Sequence, residues 1–508
     1  MTSITSGGWL QDASRFSSIS LLVGVCALLV AVLANIAYKL FFHPLREYPG
    51  PLLWRLTSLP ADYHSFNGTL VFKLQEIHLK YGESVRISPN ELSFTQSRAW
   101  KDIHGARNPE FPKDFRRTQL SPNGYYSILN APKEEHARFR RLLAHAFSEK
   151  GLREQEPRIR QYMDLLVDRL NECVRSGQAT NMVKWYTSCV FDVIGDLAWG
   201  ESFGGLENRE VHEWVPAVVG NTRYIFRASA LERWGLGTFK TWLVDKKTLE
   251  SRKKNFALAT QKAEKRAAQK GDTHGDFWDR VLIKSAGDNS SGEGMVKEEM
   301  INNAAVLVLG GAETSASTLS AATYLLLQNP ESMKKLVKEV RSTFKSSADI
   351  DVYSVNRLSY QFAVLEETMR IYPPVPDQAQ RIPPVGGGFV NDKFIPELTT
   401  LHVPQMAANF MPQNFHRAWD FVPERWLDDA PAEFANDDKA AFQPFTLGNR
   451  NCIGRNLAYA EMRLVLAKVI YDFDMELDAK ATGNWWDQKA FGVWSKGPLM
   501  VTLRAAKH

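Results

Sequence analysis

Cysteine is scarce in this chain: Cys26, Cys173, Cys189 and Cys452 are the four in 508 residues. No two form a C-x-x-C pair, which argues against a zinc site and against a disulfide framework. The body of the protein is therefore expected in a reducing compartment. An excess of charge of one sign is also missing. The 62 Lys and Arg against 57 Asp and Glu leave a formal charge of +5, too little for the concentrated basic face that a nucleic-acid partner needs. There is no internal repeat, no long low-complexity tract and no G-x-G-x-x-G fingerprint, so any dinucleotide chemistry belongs to a partner. What remains is ordinary, 44% hydrophobic and 23% charged, the composition of a chain that folds.

One uncharged run stands out. From Ile19 to Tyr38 only Ser20, Gly24 and Asn35 interrupt the apolar sequence. Twenty residues rising about 1.5 Å each give roughly 30 Å, the hydrocarbon thickness of a bilayer. The run continues into Lys39-Leu40-Phe41-Phe42 without a small-residue cleavage site, which favours an anchor over a cleaved signal. Lys39, His43 and Arg46 follow it, whereas Asp12 and Arg15 precede it, so the positive-inside tendency puts the body in the cytosol. The expected organisation is a short lumenal N-terminus (1–18), a transmembrane anchor (19–40), a proline-rich linker (41–55, with Pro44, Pro49, Gly50 and Pro51) and one large domain (56–508). In that topology the sequons at Asn67 and Asn289 are chance matches.

The body reads as mostly helix with a minor sheet. Helical spacing marks Leu70 to Tyr81, Lys133 to Ser148, Arg158 to Arg175, Lys246 to Lys270, Lys297 to Gln328 and Glu331 to Thr343. Strand-like runs are short, as at Val85 to Ile87 and Leu499 to Leu503, and Ser285 to Glu293 reads as a flexible loop.

Cys452 lies in FTLGNRNCIG, just ahead of a long amphipathic segment. Helix N-terminal amides and a nearby guanidinium lower a thiol's pKa, and the thiolate is the form that binds a metal. Gly448 and Gly454 would let backbone N–H groups approach the sulfur, Phe445 would shield it, and Arg450 could pair with an anion beside it. A reactive nucleophile is one reading of such a cysteine; a thiolate ligand of haem iron fits better. Far upstream, Ile301 to Leu327 is apolar almost all round yet carries Gly310-Gly311-Ala312-Glu313-Thr314 in its middle. Two interior glycines cost a helix roughly 1 kcal/mol each, so they need a reason. Close packing is one, and room for a flat cofactor is the other. Thr314 can bond back to the Gly310 carbonyl and open a local groove.

The pattern F-x-x-G-x-R-x-C-x-G, at Phe445, Gly448, Arg450, Cys452 and Gly454, resembles the haem-binding signature of the cytochrome P-450 family. The resemblance covers about residues 40–508, and Phe139 to Pro157 looks like fungal secondary-metabolism members of the isotrichodermin hydroxylase-like group. It implies that fold behind a single transmembrane helix, haem b as cofactor and Cys452 as its axial ligand. It also implies that Thr314 orients dioxygen with a water while Glu313 relays protons, since O–O cleavage needs both. Glu367-Thr368-Met369-Arg370 and Pro423-Glu424-Arg425-Trp426 match the family in order and spacing, which implies a buried Glu367–Arg370–Arg425 network under the Cys452 loop. Arg450, His136 with Arg140, and Arg381 are the implied partners of the haem propionates, His136 standing where the family usually has tryptophan or histidine.

The expected function is a monooxygenase acting on a lipophilic small molecule at the endoplasmic reticulum membrane, fed by NADPH-cytochrome P-450 reductase and by cytochrome b5 as a second donor. Lys133, Arg138, Arg141 and Arg455 are the basic candidates for docking the reductase. Substrate contacts are expected from Phe111 to Asn130, the Ile301 helix, Val375 to Gln380 and the turn at Phe491 to Trp494. Arg223, Arg227 and Arg233, interleaved with Tyr224, Phe226 and Trp234, could rest on the bilayer or form an ordinary surface helix. The rival functions are a redox-neutral isomerase or dehydratase of the same fold, against which Thr314 weighs, and a non-catalytic haem-binding membrane protein.

Overall fold

The computed structural model describes residues 7–107, 109–114, 121, 123–239, 246–268, 275–279, 281–282, 294–377 and 379–507. The loop expected at Ser285 to Glu293, with the Asn289 sequon, lies outside them, as does part of the Phe111 to Asn130 stretch. The described residues are mainly helical, as the spacing predicts. The Leu70–Tyr81 and Lys297–Gln328 helices begin and end where their apolar periodicity does. One expected helix does not run through. The segment from Lys133 stops at Leu143, and a new helix, Glu149–Ser176, starts beyond it. Ser148 causes the break, because its hydroxyl accepts from the Gly151 N–H and caps the second helix. Pro157 is carried inside that helix rather than ahead of it.

The central helix, Lys297–Gln328, is the axis of the largest apolar cluster. It packs against Met182–Trp199, a helix buried on nearly every side. Gly311 is where the two meet: a Cβ there would stand 2.9 Å from Ile194 Cδ1. A Cβ on Gly310 would meet nothing within 4 Å. The two glycines therefore have different reasons, one for close packing and one for open space.

The strands are short and peripheral. β1 (Ser84–Ser88) pairs antiparallel with β2 (Glu91–Phe94), which pairs parallel with β6 (Thr400–His402). β10 (Met500–Ala505) lies between β3 (Thr180–Asn181) and β7 (Phe473–Leu477). Two hairpins, β4–β5 (Gly388–Val390, Lys393–Ile395) and β8–β9 (Lys489–Phe491, Val493–Ser495), complete the set.

At the N-terminal end a helix, Gly7–Ala37, passes into a π-helical turn, Tyr38–Phe42. Ile19–Phe42 is long and apolar enough to cross a membrane, and no residue of its most apolar window is buried in the rest of the chain. The proline-rich stretch that follows is packed rather than loose. Leu45 and Tyr48 are buried in a cluster with Leu92, Val390 and Ile395, and Trp54 is buried beneath the short helix Leu52–Leu56. Arg86 donates to the Lys39 carbonyl at 2.9 Å, and Lys39 Nζ donates to the Leu56 carbonyl at 2.8 Å.

Candidate active site

A cavity of about 370 Å³ lies between the central helix and the Cys452 loop, with Cys452, Phe445 and Gly454 on one wall and Gly310, Gly311 and Thr314 on the other. The loop is held by its own backbone, the Cys452 N–H donating to the Phe445 carbonyl at 2.9 Å. Gly448 has φ +70°, and a Cβ on it would lie 2.3 Å from the His104 carbonyl oxygen. Its task is thus to let the loop pass the Ser97–His104 helix, not to approach the sulfur. Gly454 does approach it, through its backbone N–H. Phe445 packs on Tyr459 with ring centroids 5.0 Å apart.

The sulfur is accessible from the cavity but otherwise enclosed by protein. Burial pushes the Cys452 thiol above its ordinary pKa, outweighing the Gly454 N–H and the Arg140 and Arg455 guanidinia that pull it down. The expected bare thiolate is therefore not made by the protein alone. A coordinated metal ion deprotonates such a thiol outright. Arg450 does not sit beside the sulfur either. It donates to Glu110 at 3.1 Å and to the Ala131 carbonyl at 2.9 Å, while Arg140 clamps Asn451 through its carbonyl and side chain.

On the opposite wall Thr314 Oγ1 donates to the Gly310 carbonyl at 2.7 Å, as the sequence predicts. Glu313 departs from expectation. It does not line the cavity but is buried on another face of the helix, ion-paired with Lys496, whose Nζ also reaches Ser317 Oγ at 3.0 Å. The acid that does line the cavity is Glu461, on the helix Arg455–Asp472 that follows the cysteine. Ser315, next to Thr314, donates to Glu461 Oε2 at 3.3 Å, and Oε1 is buried without a partner among the described residues. Burial pushes its carboxyl up to about 8, so it is mostly protonated at neutral pH.

One end of the cavity collects cations. His136, Arg140, Arg381 and Arg450 line it as expected, joined by Lys113 and His104, which no sequence pattern marked. Burial, with Arg381 and Arg450 nearby, drives Lys113 down to about 7. Burial and Arg450 lower Arg381 to about 10. Burial, then Arg450 and the other cations, takes His136 to about 3, so it is neutral. Among the described residues, one Arg381 guanidinium nitrogen and His104 Nε2 are buried with no hydrogen-bond partner. Buried cations crowded together with open donors are costly unless an anion meets them. A flat group with two carboxylates and a metal ion to meet the sulfur fits this cavity, and haem b is such a group.

Below the loop, Glu367, Arg370 and Arg425 form the expected network, all fully buried. Arg370 donates to both Glu367 oxygens at 2.8 and 2.7 Å and to the Ala418 carbonyl at 2.6 Å. Arg425 donates to Glu367 at 3.1 Å and to Asp437 at 2.6 Å, and Trp426 Nε1 reaches Glu367 at 2.8 Å. Asp437 and Trp426 are additions that the spacing did not reveal.

The apolar wall comprises Ile128, Leu129, Val306, Leu307, Val375 and Ala379. The Phe491 to Trp494 turn is not part of it: the Trp494 indole donates to the Pro373 carbonyl at 2.8 Å and stacks on Tyr372. Of the basic docking candidates, Lys133, Arg141 and Arg455 are exposed, but Arg138 is held by Glu135 and Glu299. The arginines considered for the bilayer each have a protein partner, with Arg223 and Arg233 still exposed. Arg223 reaches Ser495 at 3.0 Å, Arg227 the Phe66 carbonyl at 3.3 Å, and Arg233 pairs with Asp62.

A lone cysteine facing a threonine groove across an apolar cavity, with cations at one end, defines a haem-thiolate enzyme. The chain belongs to the cytochrome P-450 family, whose model matches residues 46–500. It is 46% identical over 493 residues to versicolorin B desaturase stcL of Emericella nidulans, covering 96% of this chain and 99% of that one. It is also 46% identical over 475 residues to versicolorin B desaturase of Aspergillus parasiticus (93% and 95% covered). Averantin hydroxylase of Dothistroma septosporum is 43% identical over 499 residues (97% and 93%). The protein is a monooxygenase of the fungal secondary-metabolite type. It uses haem b with cysteine-thiolate ligation, acts on a small molecule and needs a redox partner.

Proposed function

We propose that this chain oxidises a lipophilic secondary metabolite (a polyketide, terpenoid or alkaloid) by inserting one oxygen atom from O2, as a hydroxylation or epoxidation. The observation that carries the reading is that Cys452 and Thr314 face one another across a single cavity with an apolar wall. When bound there, haem supplies the activation of dioxygen. Cys452 would hold its iron, within a loop shaped by Phe445, Gly448 and Gly454. His136, Arg140, Arg381 and Arg450, with Lys113 and His104, hold its propionates. Thr314 orients dioxygen and a water. Glu461, the acid that lines the cavity with Thr314 and accepts from Ser315, would supply the protons. Glu313 can serve that path only by turning away from Lys496. Glu367, Arg370 and Arg425 keep the Cys452 loop rigid.

Electrons come from NADPH-cytochrome P-450 reductase, with cytochrome b5 as a second donor, docking on exposed Lys133, Arg141 and Arg455. Residues 19–40 anchor the protein in the endoplasmic reticulum membrane, with residues 1–18 lumenal, 41–55 joining the anchor to the enzyme, and 56–508 cytosolic. The names of the relatives include both a desaturase and a hydroxylase, so removal of two hydrogens is the second outcome to test.

Mass spectrometry of metabolites made with and without the gene decides. A product heavier than its accumulated precursor by one oxygen supports the reading. A product lighter by two hydrogens assigns desaturation. Equal masses would replace both with a redox-neutral rearrangement. In the purified system Cys452→Ala abolishes turnover, while Thr314→Ala lets NADPH oxidation continue as product falls.

A further inference from the structure

Asparagine is a poor helix former, because its amide competes for the backbone. Two nevertheless stand side by side near the start of the central helix, Asn302 and Asn303, and both are buried. Both amides reach across to the segment 123–130. Asn302 Nδ2 donates to the Tyr125 carbonyl at 3.1 Å and to Asn123 Oδ1 at 2.8 Å. Asn303 Oδ1 accepts from the Ile128 N–H at 2.7 Å, and its Nδ2 returns to the Glu299 carbonyl at 2.8 Å. The backbone partners fix how each amide is turned, since an N–H can only donate and a carbonyl only accept. Asn123 Nδ2 answers with a bond to the Glu298 carbonyl at 3.3 Å.

The segment so held carries Ile128 and Leu129, both in the cavity wall. The Tyr125 carbonyl and the Ile128 N–H turn toward the helix, while the Leu129 carbonyl accepts from Lys113. A buried amide left unpaired is costly, so the helix and the segment are stable only in contact.

We propose that Asn302 and Asn303 are positioning residues that latch segment 123–130 onto the central helix and so set the shape of substrate the cavity accepts. The inference rests on the reading of this cavity as the substrate chamber. The two amides act in opposite senses: Asn302 is needed as a donor and Asn303 as an acceptor. Asn302→Asp loses at least one of the two donor bonds at constant shape, because even a protonated carboxyl has one O–H where the amide has two N–H. Asn303→Asp, protonated at so buried a position, keeps the acceptor for Ile128 and donates its O–H to the Glu299 carbonyl, and Asn303→Leu removes both.

The test uses full-length holoenzyme with matched haem content. Hydrogen exchange is followed across residues 123–130, and imidazole and 4-phenylimidazole are titrated by their spectral shifts. In Asn302→Asp and Asn303→Leu the segment should exchange about tenfold faster, the cost of one lost buried hydrogen bond, while the Arg455–Asp472 helix is unchanged. The ratio of the two azole affinities should shift at least about threefold in the same variants. Asn303→Asp should resemble the wild type in both. Wild-type exchange in Asn302→Asp and Asn303→Leu, or equal effects of Asp and Leu at 303, would overturn the latch. Faster exchange with an unchanged affinity ratio would overturn its role in specificity. The exchange arm does not depend on the chamber reading, so the failure of either is told apart from the other.

Discussion

Buried charge is handled in opposite ways in two parts of the molecule, the Glu367 network and the cavity's cationic end. In the Glu367–Arg370–Arg425 network, charge of both signs is present and the guanidinia reach carboxylates or carbonyls. Burial alone would raise the Glu367 carboxyl, but Arg370 and Arg425 outweigh it and hold the group below its ordinary range. At the cationic end of the cavity, Lys113, Arg381, Arg450 and neutral His136 crowd together with Glu110 as the carboxylate that meets Arg450. There the cations lower one another, and donors are left open. A charge cluster that is closed on itself is scaffold. One that is short of counter-charge is built for a ligand that brings it.

The contrast is broken most severely by Glu367→Gln. It leaves buried Arg370 without a carboxylate and Arg425 with Asp437 alone, a loss on the order of 3–5 kcal/mol, and no haem-bound protein should accumulate in a reduced carbon monoxide difference spectrum. Arg381→Met should act in the other direction on the fold. Removing an under-paired buried cation should leave the melting temperature of the haem-free protein unchanged or raised, while haem transfer to apomyoglobin becomes about tenfold faster.

A pH series sharpens the same point. Lys113 has its pKa lowered to about 7 in the folded chain, so above that pH the fold holds it neutral while the unfolded chain keeps it charged. The unfolded state then binds more protons, and this group's contribution to stability rises with pH from 7 toward the ordinary lysine range. Haem carboxylates would restore the proton, so haem affinity should fall above pH 7, by at most about tenfold per pH unit, and Lys113→Met should flatten that slope.

The smallest effect on stability is expected at Glu461. With its pKa raised to about 8, the folded chain keeps it protonated where the unfolded chain ionises, and its penalty grows as pH rises from the ordinary carboxylate range to 8. Glu461→Gln should therefore cost under about 1 kcal/mol at pH 7, yet lower product formed per NADPH oxidised. Glu313→Gln, which strands buried Lys496, should do the reverse: a clear loss of melting temperature with a smaller loss of coupling.

The parts of this site that were legible in the sequence are those written as local spacing. The cysteine loop and the E-x-x-R pair place their residues by turns and helical faces, and the structure brings them together. His104, Lys113 and Glu461 carry no such signature, being single polar residues brought to the cavity by distant parts of the chain. Glu313 is paired with Lys496, a partner 183 residues along the chain that no helical spacing announces. The break at Ser148 was legible too, since a serine ahead of an acidic turn favours a helix start over a helix interior. The glycine pair, by contrast, could be resolved only by what each one touches.

The Lys39 contacts bear on how this protein can be made in soluble form. Arg86 is buried and lowered to about 10 by its surroundings, and the Lys39 carbonyl is one of the groups that receive its protons. A deletion that ends after Phe42 would strip that carbonyl away, together with the Lys39 ammonium that closes on Leu56. The cut should fall before Tyr38, leaving the π-helical turn on the enzyme as part of its foundation.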